Sequence, residues 1–398
     1  MKEYKLSQLL EIKNGKDHKE LPNGDYPVFG SGGVMRYVNE YLYDKPSILL
    51  PRKGSLNNIQ YCDVPFWTVD TLYYTEVNEK LACPYYLYRY LHLLDLSGLD
   101  TGTGVPSMTF DSYYNIKVIL PEIEEQKRVA SVLQNLDYKI ALNRQINDNL
   151  EAMAKQLYDY WFVQFDFPNE EGKPYKSSGG VMVWNDKLKR EIPKGWHCGT
   201  LLDIAEYTNG LACQKYRPTD DNKLPVIKIK EMHDGLSVDT EWVKADIPDE
   251  VKVFDGDVLF SWSASLEVML WAYGNGGLNQ HIFKVTSKNG YPRSFYFYQL
   301  VHYIGVFKQM AEARKTTMGH ITQDHLRQST IVLPPDVDIA NKLEEKLCPI
   351  FDAIVKNSQE IMTLTKQRDE VLPLLMNGQA SVNYHLSVYF FRAFSYII

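Results

Sequence analysis

Paired cysteines, long apolar runs and catalytic signatures are what this chain of 398 residues lacks. Its five cysteines (Cys62, Cys83, Cys198, Cys213 and Cys348) stand singly, with no CxxC and no spacing that suggests a zinc site or a disulfide framework. That suits reduced thiols in a cytoplasm. The N-terminal MKEYKLSQLLEIKNG has no basic region followed by an apolar core and a small-residue cleavage site, so no export is expected. The C-terminal SVYFFRAFSYII is far shorter than the roughly 20 apolar residues that span a bilayer, and it contains Arg392. A soluble, cytoplasmic protein with no membrane partner is therefore expected.

Catalytic motifs are also missing. LPPD at 333–336 lacks the leading polar group and the trailing aromatic with which an amino-methyltransferase holds a flipped base. FGSGGV (29–34) and TGTG (101–104) are not followed by the helix and distal acid of a dinucleotide site. PDEVK (248–252) compresses a nuclease-like set of letters into a span too short to surround a metal, and reads as a charged surface turn. The nine histidines form no HExxH and no i, i+4 pair. His320 and His325, five apart, read as a solvated turn. Net charge is −7 and the pI about 5.8, the wrong sign for a nucleic-acid binder, so any such role needs a local basic face or basic partners.

What the chain does have is itself, twice. LSQLLEIKNG (6–15) is echoed by GTLLDIAEYTNG (199–210), ILLPRKGSL (48–56) by VLFSWSASL (258–266), and YLYRYL (86–91) by FYFYQL (295–300). MTFDSYYNIKVILP (108–121) lines up with ITQDHLRQSTIVLP (321–334), and all the echoes keep one order. Each copy mixes β-rich runs (48–50, 71–75, 116–120; 226–229, 258–260, 282–285) with shorter helical pieces at 84–94 and 294–312. The fold class expected is α+β (mixed α/β), with hydrophobic content of 44% and charged content of 23% typical of globular chains.

After each Leu-Pro comes a long amphipathic stretch. Val129, Leu133, Leu136, Ile140, Ile146, Leu150, Met153 and Leu157 recur at three- and four-residue spacing, as do Leu343, Leu347, Ile350, Ile354, Ile361, Leu364 and Leu372. Roughly 38 residues at 1.5 Å rise make a rod of roughly 57 Å. No small domain covers such a face, so the two rods are expected to pack as an antiparallel coiled coil; two independent surface helices are the alternative. The expected organisation is a first domain at 1–121, a first helix at 122–166, a Gly-, Pro- and charge-rich connector at 167–196, a second domain at 197–334, a second helix at 335–378, and a tail of unassigned role at 379–398.

This duplicated arrangement, the connector FDFPNEEGKPYKSSGG…LKREIPKGW and the segment LPEIEEQKRVASVL at the start of the first helix closely resemble the specificity subunit of type I restriction-modification systems, over residues 1 to about 383. In the second copy, LPPDVDIANKL lacks the Glu-Glu-Gln-Lys run, so contacts at that helix start are expected to differ. The resemblance implies that the domains are target recognition domains and the helices conserved spacers. It also implies a chain without chemistry of its own, which reads a bipartite site on double-stranded DNA. Two methyltransferase subunits and the restriction subunits would be its partners. S-adenosylmethionine, ATP and Mg would sit on those partners, and no cofactor or metal on this chain. A duplicated coiled-coil scaffold and the recognition part of a restriction-methylation fusion are the alternatives; a fusion would need a methyltransferase motif in the same chain.

Candidate DNA contacts follow from aligning the copies. Arg52, Lys53 and Ser55 of LLPRKGS stand where the second copy has Trp262 and Ser263 of LFSWSAS; Arg52 suits guanine O6 and N7, while a phosphate clamp or a solvated turn also fits. Lys228 and Lys230 alternate with Ile227 and Ile229, which places both on one strand face, tracking phosphate or facing solvent. Thr101 and Thr103 of TGTGVPS and Arg314, Lys315 and Thr316 of RKTTMGH occupy matching loops, and Arg36 completes the set. Gln126, Arg144 and Gln145 are candidate partner contacts on exposed helix positions. If the rods set the spacing between half-sites, inserting one turn of about four residues into both should lengthen the gap in the methylated sequence and leave both halves unchanged. Methylome sequencing reads this directly, and an unchanged gap contradicts the expectation.

Overall fold

The computed structural model describes residues 1–380 apart from Ser55, 100–105, Ala264 and 314–320, with the side chains of Ser97 and 311–313 also outside it. The chain forms two compact units, Met1–Lys139 with Leu364–Ile398, and Ile140–Thr363. The helices Ile123–Tyr158 and Asp338–Met376 each contribute residues to both.

In the first unit the strand Lys2–Lys5 pairs antiparallel with Lys117–Leu120, Lys2 opposite Leu120. Val118 and Leu120 are buried while Lys117 and Ile119 face out, the two-residue period of a one-sided strand. Pro121 cannot donate to a ladder and ends the strand; the long helix starts two residues later with Glu124 and Glu125 in its first turn, at the positive end of its dipole. A four-stranded antiparallel sheet follows the order Leu10–Asn14, Leu72–Val77, Ser47–Pro51, Gln60–Cys62. A second sheet pairs Tyr26–Gly30 parallel to Trp67–Thr68 and antiparallel to Gly33–Val38.

The second unit repeats the strand order of this plan and adds Lys252–Val253 at the edge of its smaller sheet and the hairpin Met182–Asn185 with Arg190–Pro193. His197–Gly199 pairs with Ile331–Leu333; the four-stranded sheet runs Ala205–Asn209, Ile282–Ser287, Val258–Ser261, Glu267–Leu270; Lys223–Ile227 lies parallel to Gly276–Leu278 and antiparallel to Trp242–Lys244. The helix Pro84–His92 corresponds to the longer Arg293–Ala313, and Phe110–Tyr114 to Gln323–Arg327. The duplication legible in sequence is thus a duplication of topology.

The Asn-Gly that closes the first strand of each large sheet has a shared steric cause. A Cβ on Gly15 would stand 2.1 Å from the carbonyl oxygen of Val69 and 2.6 Å from that of Thr68; on Gly210, 2.2 Å from Asn279 O and 2.5 Å from Leu278 O. Close approach of backbone, not a left-handed turn, demands glycine at both places.

Within each unit the helices pack antiparallel, as expected. In the first, Val129, Leu133, Leu372, Leu375 and Met376 share one core, and Asp137 accepts from Arg368 Nη1 at 2.9 Å, from Arg89 and from Tyr85. In the second, Asn147 Nδ2 donates to Ser358 Oγ at 3.0 Å and to Ile354 O at 3.2 Å, Asn357 Nδ2 donates to Asn147 Oδ1 at 3.0 Å, and Asn143 Nδ2 donates to Glu360 Oε2 at 2.9 Å. The inward stripe therefore differs from the apolar count. Ile146 and Met153 are exposed at 37% and 46%, while Ile140, Asn143, Asn147 and Ala154 are buried. A three-four spacing runs through the asparagines because each finds a partner on the facing helix, which an apolar count cannot anticipate.

Three further expectations change. The run 226–229 is not one strand: Lys223–Ile227 is a strand, and Ile229–Asp234 is a short helix capped by Glu231, which accepts from Lys228 N at 3.1 Å. Burial of Met232 and the cap outweigh a four-residue alternation, so Lys228 and Lys230 do not share a strand face. His325 is buried, not solvated, and its Nδ1 accepts from Thr322 N at 3.0 Å at a helix start. The loop 314–320, with His320, and the aromatic tail beyond 380 lie outside the described residues.

Replacing Gly15 or Gly210 by alanine should destabilise the protein by about 1–3 kcal/mol each, since the obstacle is backbone that cannot swing aside. Gly305→Ala, on a helix with nothing within 4 Å of the new methyl, should be neutral or slightly stabilising. Urea unfolding of the three variants checks the contrast.

Candidate nucleic-acid interface

Each unit has a corner where its inner sheet strand ends. In the first, Ser47–Pro51 is wholly buried and Arg52 is the first residue to emerge. Arg52 N donates to Thr71 O at 2.9 Å and Arg52 O accepts from Met108 N at 3.0 Å, so the backbone is held on both sides. Its guanidinium lies 5.9 Å over the Tyr73 ring, and Nη1 reaches Asp70 O at 3.3 Å. Lys53 is exposed and bridges to Ser107, and Gly54 N donates to Pro106 O at 2.9 Å. The end of the TGTGVPS loop is thereby fastened to the Arg52 corner.

The second unit builds the same corner from different side chains. Trp262 N donates to His281 O at 3.3 Å and Trp262 O accepts from Ile321 N at 3.1 Å. The Trp262 ring sits 5.8 Å from Phe283, the residue opposite Asn209 in the ladder, and its Nε1 donates to Asn209 Oδ1 at 3.1 Å. The sequence alignment of Arg52 with Trp262 is therefore also a structural equivalence. The aromatic platform beneath them, Tyr73 and Phe283, went unnoticed in sequence; the signal was present in LYYTEV and IFKVTS, two strands whose second residue is aromatic.

Other candidates fare differently. Ser263 is buried at 6% exposure, so its side chain is not held out to solvent. Arg36 is not held out to solvent but donates through Nη2 to Leu21 O at 2.8 Å and Asn23 Oδ1 at 2.9 Å, fastening a loop of its own domain. Lys228 Nζ is 2.5 Å from Glu241 Oε1, and this hydrogen bond holds the Glu241 carboxyl below its ordinary value. A lysine so neutralised is a poorer phosphate contact than an unpaired one. Lys230 is exposed on the first turn of its helix. Ser55, Thr101, Thr103, Arg314, Lys315 and Thr316 lie outside the described residues.

On the helices, Arg144 and Gln145 are exposed, but Gln126 is not the surface position expected of it. At 1% exposure its Oε1 accepts from Cys83 N at 2.9 Å, and its Nε2 donates to Leu81 O at 3.1 Å and Pro121 O at 2.9 Å. The residue stitches the helix start to the loop before Pro84. Polar type suggested solvent, and the backbone groups that needed it were invisible in sequence.

Among the described residues no group of three or more His, Cys, Asp and Glu side chains is placed to hold a metal ion, and no helix is long and apolar enough to cross a membrane.

Two topological copies, each bounded by a short antiparallel strand pair and each followed by a long helix, define a class of internally duplicated α+β chains. The family profile described as the type I restriction modification DNA specificity domain matches residues 1–152 and 193–368, and the chain belongs to that family. It is 27% identical over 391 residues to the type I restriction enzyme MjaIX specificity subunit of Methanocaldococcus jannaschii, covering 92% of this chain and 86% of that protein. The type I restriction enzyme HindI specificity subunit of Haemophilus influenzae is 23% identical over 374 residues, covering 76% and 79%. In fold, the crystal structure of the type I restriction-modification S subunit from M. genitalium matches with a TM-score of 0.62 at 15% identity, covering 94% of this chain and 95% of that one.

Gln126→Ala should cost about 1–3 kcal/mol by stranding the groups it bonds, whereas Arg144→Ala and Gln145→Ala should stay within about 0.5 kcal/mol of the parent. Thermal unfolding of the three variants measures the difference.

Proposed function

We propose that this chain selects the DNA sequence on which a type I restriction-modification complex acts, each domain reading one half of a bipartite site, and that it holds methyltransferase and restriction subunits while contributing no catalytic group. The observation that carries this is the pair of equivalent corners. One strand order is kept in both units while Arg52 and Lys53 in one are replaced by Trp262 and Ser263 in the other. Keeping a scaffold and changing its exit chemistry is what reading two different half-sites requires. The relatives, specificity subunits of type I restriction enzymes, point the same way.

A net charge of −7 gives the isolated chain little general attraction for phosphate. Methyltransferase subunits would supply the positive surface that closes around the duplex, and tight specific binding belongs to the assembled enzyme. S-adenosylmethionine, ATP and Mg would be carried by those partners. Arg144 and Gln145 remain as docking candidates on the first long helix.

Methylation sequencing of the host with and without this gene should show a two-part motif that vanishes on deletion. Replacing residues 197–334 with the second domain of a relative should exchange one half of the motif and retain the other. A motif that survives deletion, or a replacement that changes both halves, contradicts the proposal.

A further inference from the structure

The two corners share more than their exit residue. Asn14 ends the first strand of one large sheet, opposite Tyr73, and Asn209 ends the equivalent strand of the other, opposite Phe283. On the far side of the same aromatic residue, Leu50 pairs with Tyr73 and Phe260 with Phe283, and the chain emerges two residues later as Arg52 or Trp262. In each unit, then, one aromatic platform is flanked by an exposed asparagine and by a large side chain that folds back over the ring. The glycine after each asparagine is pressed against a carbonyl, which fixes where the asparagine is presented.

We infer that Asn14 with Arg52, and Asn209 with Trp262, are equivalent base-reading pairs, the first taking a guanine through Arg52 and the second making an apolar, indole-lined contact. This rests on the proposed reading of one half-site per domain. The chemistry is set by what each side chain has left to offer. Arg52 is braced by Tyr73 and the Asp70 carbonyl, yet only Nη1 reaches that carbonyl, so the fork keeps donors for guanine O6 and N7. Asn14 supplies an amide of the kind that pairs with adenine N6 and N7. Trp262 has its one donor engaged by Asn209 Oδ1, so its remaining surface is apolar and suits a thymine methyl, while the Asn209 amide retains its NH2 for a base acceptor. The domains would thus differ in what they recognise by the exit residue that lies over an aromatic platform, Tyr73 in one and Phe283 in the other.

The test is methylation sequencing of cells in which the whole complex carries Asn14→Ala, Arg52→Ala, Asn209→Ala or Trp262→Phe, with purified complexes checked for assembly and thermal midpoint. Arg52→Ala should relax one guanine in one half of the motif, with roughly 10- to 100-fold loss of discrimination there. Asn14→Ala should relax a position in the same half; Asn209→Ala and Trp262→Phe should act only on the other. Arg52→Lys keeps charge and stem but not the bidentate fork, and should also relax the guanine. An unchanged motif in stably assembled variants overturns the assignment, as does a change in both halves. So does uniformly weaker binding with an unaltered motif and a salt slope lower by about one, which marks phosphate contacts instead. Because the parent motif and its dependence on the gene are measured in the same experiment, failure of these pairs is distinguishable from failure of the half-site reading itself.

Discussion

The pairing of each domain's first strand with its last is the constraint on which the rest depends. Lys2–Lys5 is zipped to Lys117–Leu120 and His197–Gly199 to Ile331–Leu333, so each domain leaves its ladder beside the point where it began. Leu-Pro then stops the ladder, and a long helix can start without continuing the sheet. A domain tethered in this way is an insertion between a strand pair and a helix. Its interior can change, as it does between the two copies, without disturbing the backbone that launches the helices.

The helices add a second constraint, of polar rather than apolar origin. An apolar seam alone permits neighbouring registers of nearly equal energy. Asn143 and Asn147 in one unit have partners on the facing helix in one register only and are left unpaired and buried in the alternatives, and the bond from Arg368 to Asp137 in the other unit belongs to the same register. In the second unit the position aligned with Arg89 is held by Tyr298, whose ring lies between Tyr158 and Phe351 at 5.0 and 5.9 Å, and the ion pair to the long helix runs instead from Arg293 to Asp352 at 3.0 Å. The two ends of the helix pair are therefore chemically distinct although the domains are copies.

The candidate interface shows how far one sequence can be read. Duplication, strand order and the Arg52–Trp262 equivalence were legible because they rest on order and spacing, which survive in the sequence itself. Gln126 was expected at the surface and is buried, and Arg36 and Lys228 have bonds within the protein, because residue type alone does not reveal a waiting partner. Gln126 meets two backbone groups of a loop more than forty residues earlier and the carbonyl of Pro121, and Lys228 meets a glutamate on the other side of an inserted helix.

By itself, then, the sequence determined that there are two α+β domains of one ancestry, that long helices follow each Leu-Pro, and that the two corners carry different chemistry; these are properties of local pattern. Only the tertiary structure decided which polar residues belong to the interior. It placed the helix seam on asparagines instead of Ile146 and Met153, and set Asn14 and Asn209 beside the exit residues across a shared aromatic ring. The physical reason is that a polar group's cost or benefit depends on the partner it meets, and partners separated by tens to hundreds of residues are brought together only by the fold.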